Sequence, residues 1–346
     1  MHRRGLIELS QSLLAKETLE PSRPSHLRDV KHAHLSVILN NRIRLHYDMH
    51  DSWEIESKYL EEADFYFKRS YRRFVLKDLG NNRCKVFPLG LYYEIYPDHV
   101  DRFALQRIFK PSLNWKARAV QFFRSIDVWN ITNYYPRMRF MEALPDASAP
   151  PKILFMVRVW DPADDPTRPK EKVEERQAIN QMRADCIRAL HHEFGNLFYG
   201  GLVHTIYAEK HFKDCLLPNK STSAKRNYIR LLKSYPICVA TTGLHGSIGG
   251  KFSEYVAFSK AIVSEKLEYE AAGDLREGMN YLEFSSPESC VTQVAKLFTD
   301  GELRKNIMLN NARYYQSYLR PDVLVLNSIL VALQDNGVGD FPKLAG

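Results

Sequence analysis

The second half of the chain is built in alternation, and this constrains the fold more than any other feature. KILFMVRVW (152–160) is apolar with hardly a break, as in a strand covered on both faces. PKEKVEERQAINQMRADCIRALHHEF (169–194) then sets Val173, Ile179, Met182, Ile187 and Leu190 at near-helical spacing. A strand follows at 196–201, a helix at 223–234, a strand at 235–243, a helix at 249–259, strands at 260–265 and 279–284, and a helix at 286–299. Ser286, Pro287 and Glu288 open that helix as N-cap, first helical residue and first-turn acid. A last helix at about 301–319 stops before Pro321. Strands that alternate with helices pair in parallel through crossovers, so the expectation is a doubly wound α/β sheet.

The first half follows the same grammar less regularly. IRLHYDM (43–49), ADFYFKR (63–69) and CKVFPLG (84–90) read as strands, and 53–62, 70–79, 98–109 and 113–125 as helices. MEALPDASAPPK (141–152), with three prolines and no periodicity, reads as a linker. The 346 residues hold two domains of about 150 each. The expected division is a Rossmann-like domain at 1–145, a second at 150–322, and a tail or helix at 323–346.

No apolar run approaches the roughly 20 residues that cross a bilayer. The opening MHRRGLIELSQSLL is interrupted by Glu8, Ser10 and Gln11, unlike a signal peptide, so a cytoplasmic location is expected. Five scattered cysteines without a Cys-x-x-Cys pair argue against a disulfide framework or zinc knuckle and read as small buried residues. A net charge of +8 gathers at FKRSYRRF (67–74), DRFALQRIFK (101–110) and NWKARAVQFFR (114–124), which suits an anionic ligand, an acidic membrane surface or nucleic acid. No recognisable nucleic-acid motif accompanies the charge, so nucleic acid is not an expected partner.

TTGLHGSIGGKFSEYVAFSKAIVSE (241–265) concentrates four of the sixteen glycines where a strand gives way to a helix. In open parallel sheets ligands bind at this end, and glycines with a helix N-terminus turn backbone N–H groups toward a phosphate. Lys251, in the first helical turn, opposes the helix dipole unless an anion is near. Glu254 lies one turn further on the same face, where a carboxylate can accept ribose hydroxyls. A solvated glutamate beside a plain turn is the alternative. The stretch matches neither Gly-x-Gly-x-x-Gly nor the P-loop.

This segment, extended through KLEYEAAGDLREGMNYLEF, resembles the donor-binding half of two-domain GT-B glycosyltransferases, closest to the bacterial family 1 or family 4-like group. ILFMVRVWDP resembles the strand and loop that open their C-terminal domain, and ADFYFKRSYRRFVLKDLGNNRCKVFPLGLYY the end of their N-terminal domain. The resemblance covers about residues 43–320. It implies two Rossmann-like doubly wound domains, with a short acceptor-side domain first and a nucleotide-sugar-binding domain second. It implies transfer of a sugar from a nucleotide-diphosphate donor to a glycan, lipid-linked or secondary-metabolite acceptor. Arg158 matches the arginine that steadies the donor diphosphate, Glu254 the glutamate that holds the ribose, and Gly243, Leu244, His245, Gly246 and Ser247 the loop facing the donor. Many relatives carry a glutamate where this chain has Gly246. Their phosphate lysine has no clear match, and Lys251 is the favoured substitute over Lys170 and Lys220. The same fold without the reaction, a nucleotide-sugar-binding scaffold, is the alternative.

Within YDMHDS (47–52), His50 or Asp48 facing the cleft could act as base on an acceptor hydroxyl. Asp51 or Ser52 reads better as the cap of the next helix. Lys68 and Arg69 end a strand and could face phosphate or an acidic acceptor, or simply solvent. HHE (191–193) reads as a helix C-terminus that welcomes cations, since adjacent helical histidines point apart. No Asp-x-Asp pair is present, so neither a metal requirement nor a cofactor is expected. Peripheral contact with the inner face of a membrane is a further expectation.

Overall fold

The computed structural model describes residues 33–73, 84–96, 98, 107–109, 114–127, 129 and 136–335. The expected helices at 70–79 and 98–109 lie largely outside these residues.

The chain enters the first sheet by a hairpin that the sequence reading did not include. β1 (His34–Leu39) pairs antiparallel with β2 (Ile43–Asp48) across Asn40 and Asn41, at φ 51° and 55°. Asparagine tolerates this left-handed conformation better than most residues, and two in succession make a tight hairpin turn. α1 (Ser57–Glu62) then leads to β3 (Phe65–Lys68), and β4 (Lys85–Pro88) completes the sheet in the order β1-β2-β3-β4, its last three strands parallel. α1 starts four residues later than the spacing predicts, with Glu56 at its N-cap. Asp51 is therefore not the cap; it pairs with Arg69. α2 (Trp115–Ser125) follows, capped by the Asn114 side chain.

The second sheet has five parallel strands: β5 (Ile153–Val157), β6 (Phe198–Leu202), β7 (Ile237–Ala240), β8 (Ala261–Glu265) and β9 (Tyr281–Phe284), in the order β6-β5-β7-β8-β9. Between them run α3 (Lys170–Phe194), α4 (Ile206–His211), α5 (Lys225–Ser234) and α6 (Gly250–Ala257), and α7 (Pro287–Thr299) follows β9. Alternate strand residues feed two cores: Ile153, Phe155 and Val157 face α3 and α7, and Leu154 and Met156 face α5 and α6. That two-sided burial explains the continuous apolar runs. All five cysteines are free and buried.

α8 (Gly301–Tyr314) ends in a π-turn at Tyr315–Leu319, and Pro321 opens a further helix, α9 (Pro321–Asp335). Instead of trailing from the second lobe, α9 returns to the first. Leu324, Val325 and Ala332 pack with Leu45, Tyr47, Phe65 and Phe67, and the Tyr47 hydroxyl lies 2.7 Å from Ser328 Oγ. The result is two α/β lobes, the first small, the second doubly wound. Among the described residues no helix is long and apolar enough to cross a membrane.

Candidate functional site

Strand order reverses between β5 and β7, and in open parallel sheets ligands bind beyond the carboxyl ends of the strands at such a switch point. Arg183 of α3 ties the switch point together. The side chain is 4% exposed and donates from Nη1 to Arg158 O (2.6 Å), from Nε to Thr241 Oγ1 (2.9 Å) and from Nη2 to Thr242 O (2.8 Å). Its guanidinium stacks on Trp160 at 4.4 Å. Burial pushes its pKa down to about 10 against the pull of Glu265. Neighbouring Asn180 donates to Trp160 O and accepts from Trp160 N. Asn180 and Arg183 share the buried stripe with Ala184 and Ile187, so two polar residues on an apolar helix face were the sequence signal of this bracket.

The glycine loop does not point its amides outward as expected. Gly243 N donates to Ser247 O (2.7 Å), His245 N to Glu175 Oε1 (2.5 Å) and Thr242 N to Glu265 Oε2 (2.6 Å). Ser247 N donates to Leu244 O, and Ser247 is buried. Four amides are thus taken by the protein's own acceptors, and a phosphate meets no open amide at Gly243 or His245. His245, at φ 61°, accepts from the Tyr269 hydroxyl on its carbonyl. Gly246 sits at φ 67°, where a Cβ would lie 3.2 Å from Glu268 Oε2. Glu268 pairs with Arg72 of the first lobe.

The open donors lie one turn on. α6 begins at Gly250, one residue later than expected, with Gly249 as an N-cap that has no side chain to offer. The N–H groups of Gly250 and Lys251 have no hydrogen-bond partner among the described residues. Lys251 Nζ sits 3.7 Å over the Tyr228 ring of α5, and Lys225 Nζ is 5.6 Å from the same ring and 2.5 Å from Glu254 Oε1. Burial brings the Lys251 pKa down to about 8; Glu254 opposes that fall, while Lys225 and Arg158 add to it. Burial alone would raise Glu254, but Lys225 and Lys251 outweigh it and hold the carboxyl below its usual range. The Tyr228 hydroxyl is close enough to help, yet forms no aligned hydrogen bond. Arg158 is exposed just past the end of β5, its guanidinium without a hydrogen-bond or ion-pair partner among the described residues. Lys225, Lys251 and Glu254 thus form one cluster, and with Arg158, whose charge reaches Lys251, the corner carries a surplus of two positive charges; Lys225 is the member that sequence reasoning missed.

In the first lobe, two expected site residues consume each other. Asp48 and Lys68 are Cα partners across β2 and β3, their side chains 1% exposed, with Lys68 Nζ 2.7 Å from Asp48 Oδ2. The Tyr66 hydroxyl donates to the same oxygen at 2.6 Å. Neither Asp48 as base nor Lys68 as phosphate ligand faces a cleft: the parallel register that sets them at a strand end also sets them side by side. Arg69 straps the lobes together, donating to Met49 O (3.3 Å) and, across the junction, to Ile248 O (3.1 Å), and stacking on Tyr92 at 4.8 Å. Its donors are spent on the protein. A cavity of about 10 Å³, room for one water, remains beside it between Ser70, Leu91 and Tyr269. His50 is half-buried. Its backbone N donates to Asp48 Oδ1 and its carbonyl accepts from Ser70 Oγ, while its ring nitrogens bond to nothing among the described residues. His34, Asp48 and His50 bring ligand atoms within 4.8 Å of one another. Asp48 is already held by Lys68 and Tyr66, and the His34 ring nitrogens lie 3.0 Å from His46 and 3.1 Å from Glu56, so of the three only the His50 ring is without a hydrogen-bond partner among the described residues.

No protein-family model matches the chain, and no curated protein is similar to it in sequence. Solved structures are distantly similar. The C-terminal domain of a group 1 family glycosyl transferase (LpcC) from Francisella tularensis aligns over 53% of this chain and 97% of its own, at 11% identity and TM-score 0.35. HepE from Anabaena, solved with UDP and glucose, aligns over 80% of this chain and 65% of its own, at 12% identity and TM-score 0.39. MnaA from S. aureus, solved with UDP, aligns over 84% of this chain and 64% of its own, at 10% identity and TM-score 0.40. The chain spans just under two thirds of the length of the last two.

Proposed function

We propose that the chain is a glycosyltransferase that binds a nucleotide-diphosphate sugar at the switch point of the second lobe. Its acceptor, a carbohydrate, lipid-linked or small hydroxyl compound, enters from the first lobe. The observation that carries this reading is the pair of Lys225 and Lys251 around Glu254, with the charge of Arg158 felt at Lys251, beside the open amides of Gly250 and Lys251. Three cations and a helix N-terminus suit a diphosphate, and a carboxylate in their midst suits the hydroxyls of the attached ribose. Lys225 moves from Glu254 to the phosphates as the ribose takes the carboxylate. Negative charge that develops on the departing diphosphate is stabilised electrostatically by the same cations, the work a divalent ion does in other transferases. His50 is the base for the acceptor hydroxyl, and Glu268 supplies the carboxylate near the donor sugar that the family resemblance places at 246.

A thermal-shift panel of UDP, GDP, CDP, ADP and TDP tests the donor site. One of the five is expected to raise the melting temperature, and Glu254→Ala to weaken its binding about tenfold or more, the scale of a lost charged hydrogen bond. The 2′-deoxy form of that nucleotide should bind both proteins more nearly alike. A panel with no response, or an undiminished response in Glu254→Ala, sinks the assignment.

Titration supplies a second check. Lys251 is mostly charged at pH 7 and mostly neutral at pH 9, so affinity for the diphosphate should fall as pH rises through about 8. The expected loss is about tenfold, and Lys251→Arg should flatten the profile. An identical pH profile in both proteins would remove Lys251 from the phosphate site.

Loss of Asp48, Lys68 and Arg69 from the candidate chemistry favours a second reading, donor binding without transfer. Slow donor hydrolysis that disappears in His50→Ala while binding persists supports the enzyme; binding with no turnover on any acceptor supports the scaffold.

A further inference from the structure

Helix α2 carries an apolar stripe that the fold leaves in solvent. Trp115, Ala119, Phe122 and Ile126 recur at the spacing of one helix face. In a lobe helix that face turns to the core. Here Trp115 is 74% exposed, Phe122 45% and Phe123, beside the stripe, 64%, and none of the helix's described side chains is buried. Phe109 and Trp129, before and after the helix, are 80% and 73% exposed. The segment is also of one sign: between Asp101 and Asp127 stand six Lys or Arg and no Asp or Glu. By helical spacing Lys116 and Arg118 flank the stripe.

We propose that α2 and its flanks form a membrane-docking surface that lies in the interface of an anionic phospholipid bilayer. The aromatic side chains enter the boundary between headgroups and acyl chains, and the cations meet the lipid phosphates. Tryptophan favours that boundary, where its ring is half in hydrocarbon and half in water. Charge selects this occupant over a second copy of the chain, since a face-to-face pair would oppose like charges on a protein already at +8. Nucleic acid would satisfy the cations and stack on the rings, but Val120 and Ile126 would gain nothing from it. The inference does not depend on the nucleotide assignment in the second lobe.

Flotation of the full chain with vesicles of phosphatidylcholine, with and without phosphatidylglycerol, is the test. The protein should float with the anionic vesicles, with tryptophan emission shifted to the blue, and only weakly with the neutral ones. Lys116→Gln with Arg118→Gln should weaken partitioning about thirtyfold. Trp115→Ala with Phe122→Ala and Phe123→Ala should weaken it at least about tenfold. Both variants should keep the parent's melting temperature and nucleotide response, because none of the replaced side chains is buried. Failure to float, or floating undiminished in both variants, overturns the proposal. So does concentration-dependent self-association that the aromatic variant abolishes, or single-stranded RNA binding more tightly than vesicles.

Discussion

Lys68→Met should destabilise the first lobe by about 3–5 kcal/mol while leaving intact the nucleotide response proposed for the second lobe. The size follows from what is left behind. With Lys68 gone, Asp48 is a carboxylate 1% exposed, with only the Tyr66 hydroxyl and the His50 amide to hold it. Asp48→Asn in the same chain removes the stranded charge and should recover most of the loss. The pH dependence has a definite sign. In the parent, burial alone would raise the Asp48 pKa, but Lys68 and Tyr66 outweigh it and hold the carboxyl below its usual value. Its contribution is therefore present above the unfolded pKa of about 4 and is lost as pH falls through the lower folded value. In Lys68→Met burial goes largely unopposed and the pKa rises, so the penalty is full at neutral pH and is relieved by acid. The difference in melting temperature between parent and variant should narrow from pH 7 toward pH 4. An equal difference at both would mean that Asp48 is not the stranded group, and a lost nucleotide response would restore Lys68 as a ligand.

That pair also shows where sequence reasoning reaches its limit. That Asp48 and Lys68 end neighbouring strands was legible, because each follows an apolar run. That they face each other depends on register, which no local pattern records. The second lobe was legible almost throughout, since strands buried on both faces leave continuous apolar runs and helices between them keep their period. α4 was missed because six residues, with Ile206 90% exposed, give no period to see. The hairpin of β1 had its signal in Asn40–Asn41 between alternating runs. α9 looked like a tail, for its apolar surface is explained only by Leu45, Tyr47 and Phe67, far away in sequence. At the candidate site, the glycine run does lie where β7 gives way to α6, at the end of the sheet the sequence pattern assigned to it. It did not reveal that Glu175 and Glu265 had already claimed the loop's amides, because acceptors from other elements leave no trace in the loop itself.

Arg183→Met should cost the second lobe about 3–5 kcal/mol and remove the proposed nucleotide binding with it. Three acceptors depend on this guanidinium: the carbonyls of Arg158 and Thr242 and the hydroxyl of Thr241. Each bond has a charged donor, and each acceptor is left inside a site that methionine fills without replacing a donor. These acceptors stand at the ends of β5 and β7, so the two strand ends lose their common bracket. Arg158 and the turn that leads to α6 would then be free to drift, and a shift of about 1 Å is enough to misplace a charged contact. Arg183→Lys is the informative control. It keeps the charge near Glu265 but has no planar fork, and one ammonium cannot reach three acceptors set at separate angles. Stability should therefore return in part and nucleotide affinity very little. Full affinity in Arg183→Lys would show that charge beneath the switch point, rather than the bracket, is what the site requires. Unchanged melting of the second lobe in Arg183→Met would show that the three bonds contribute nothing to holding the switch point together.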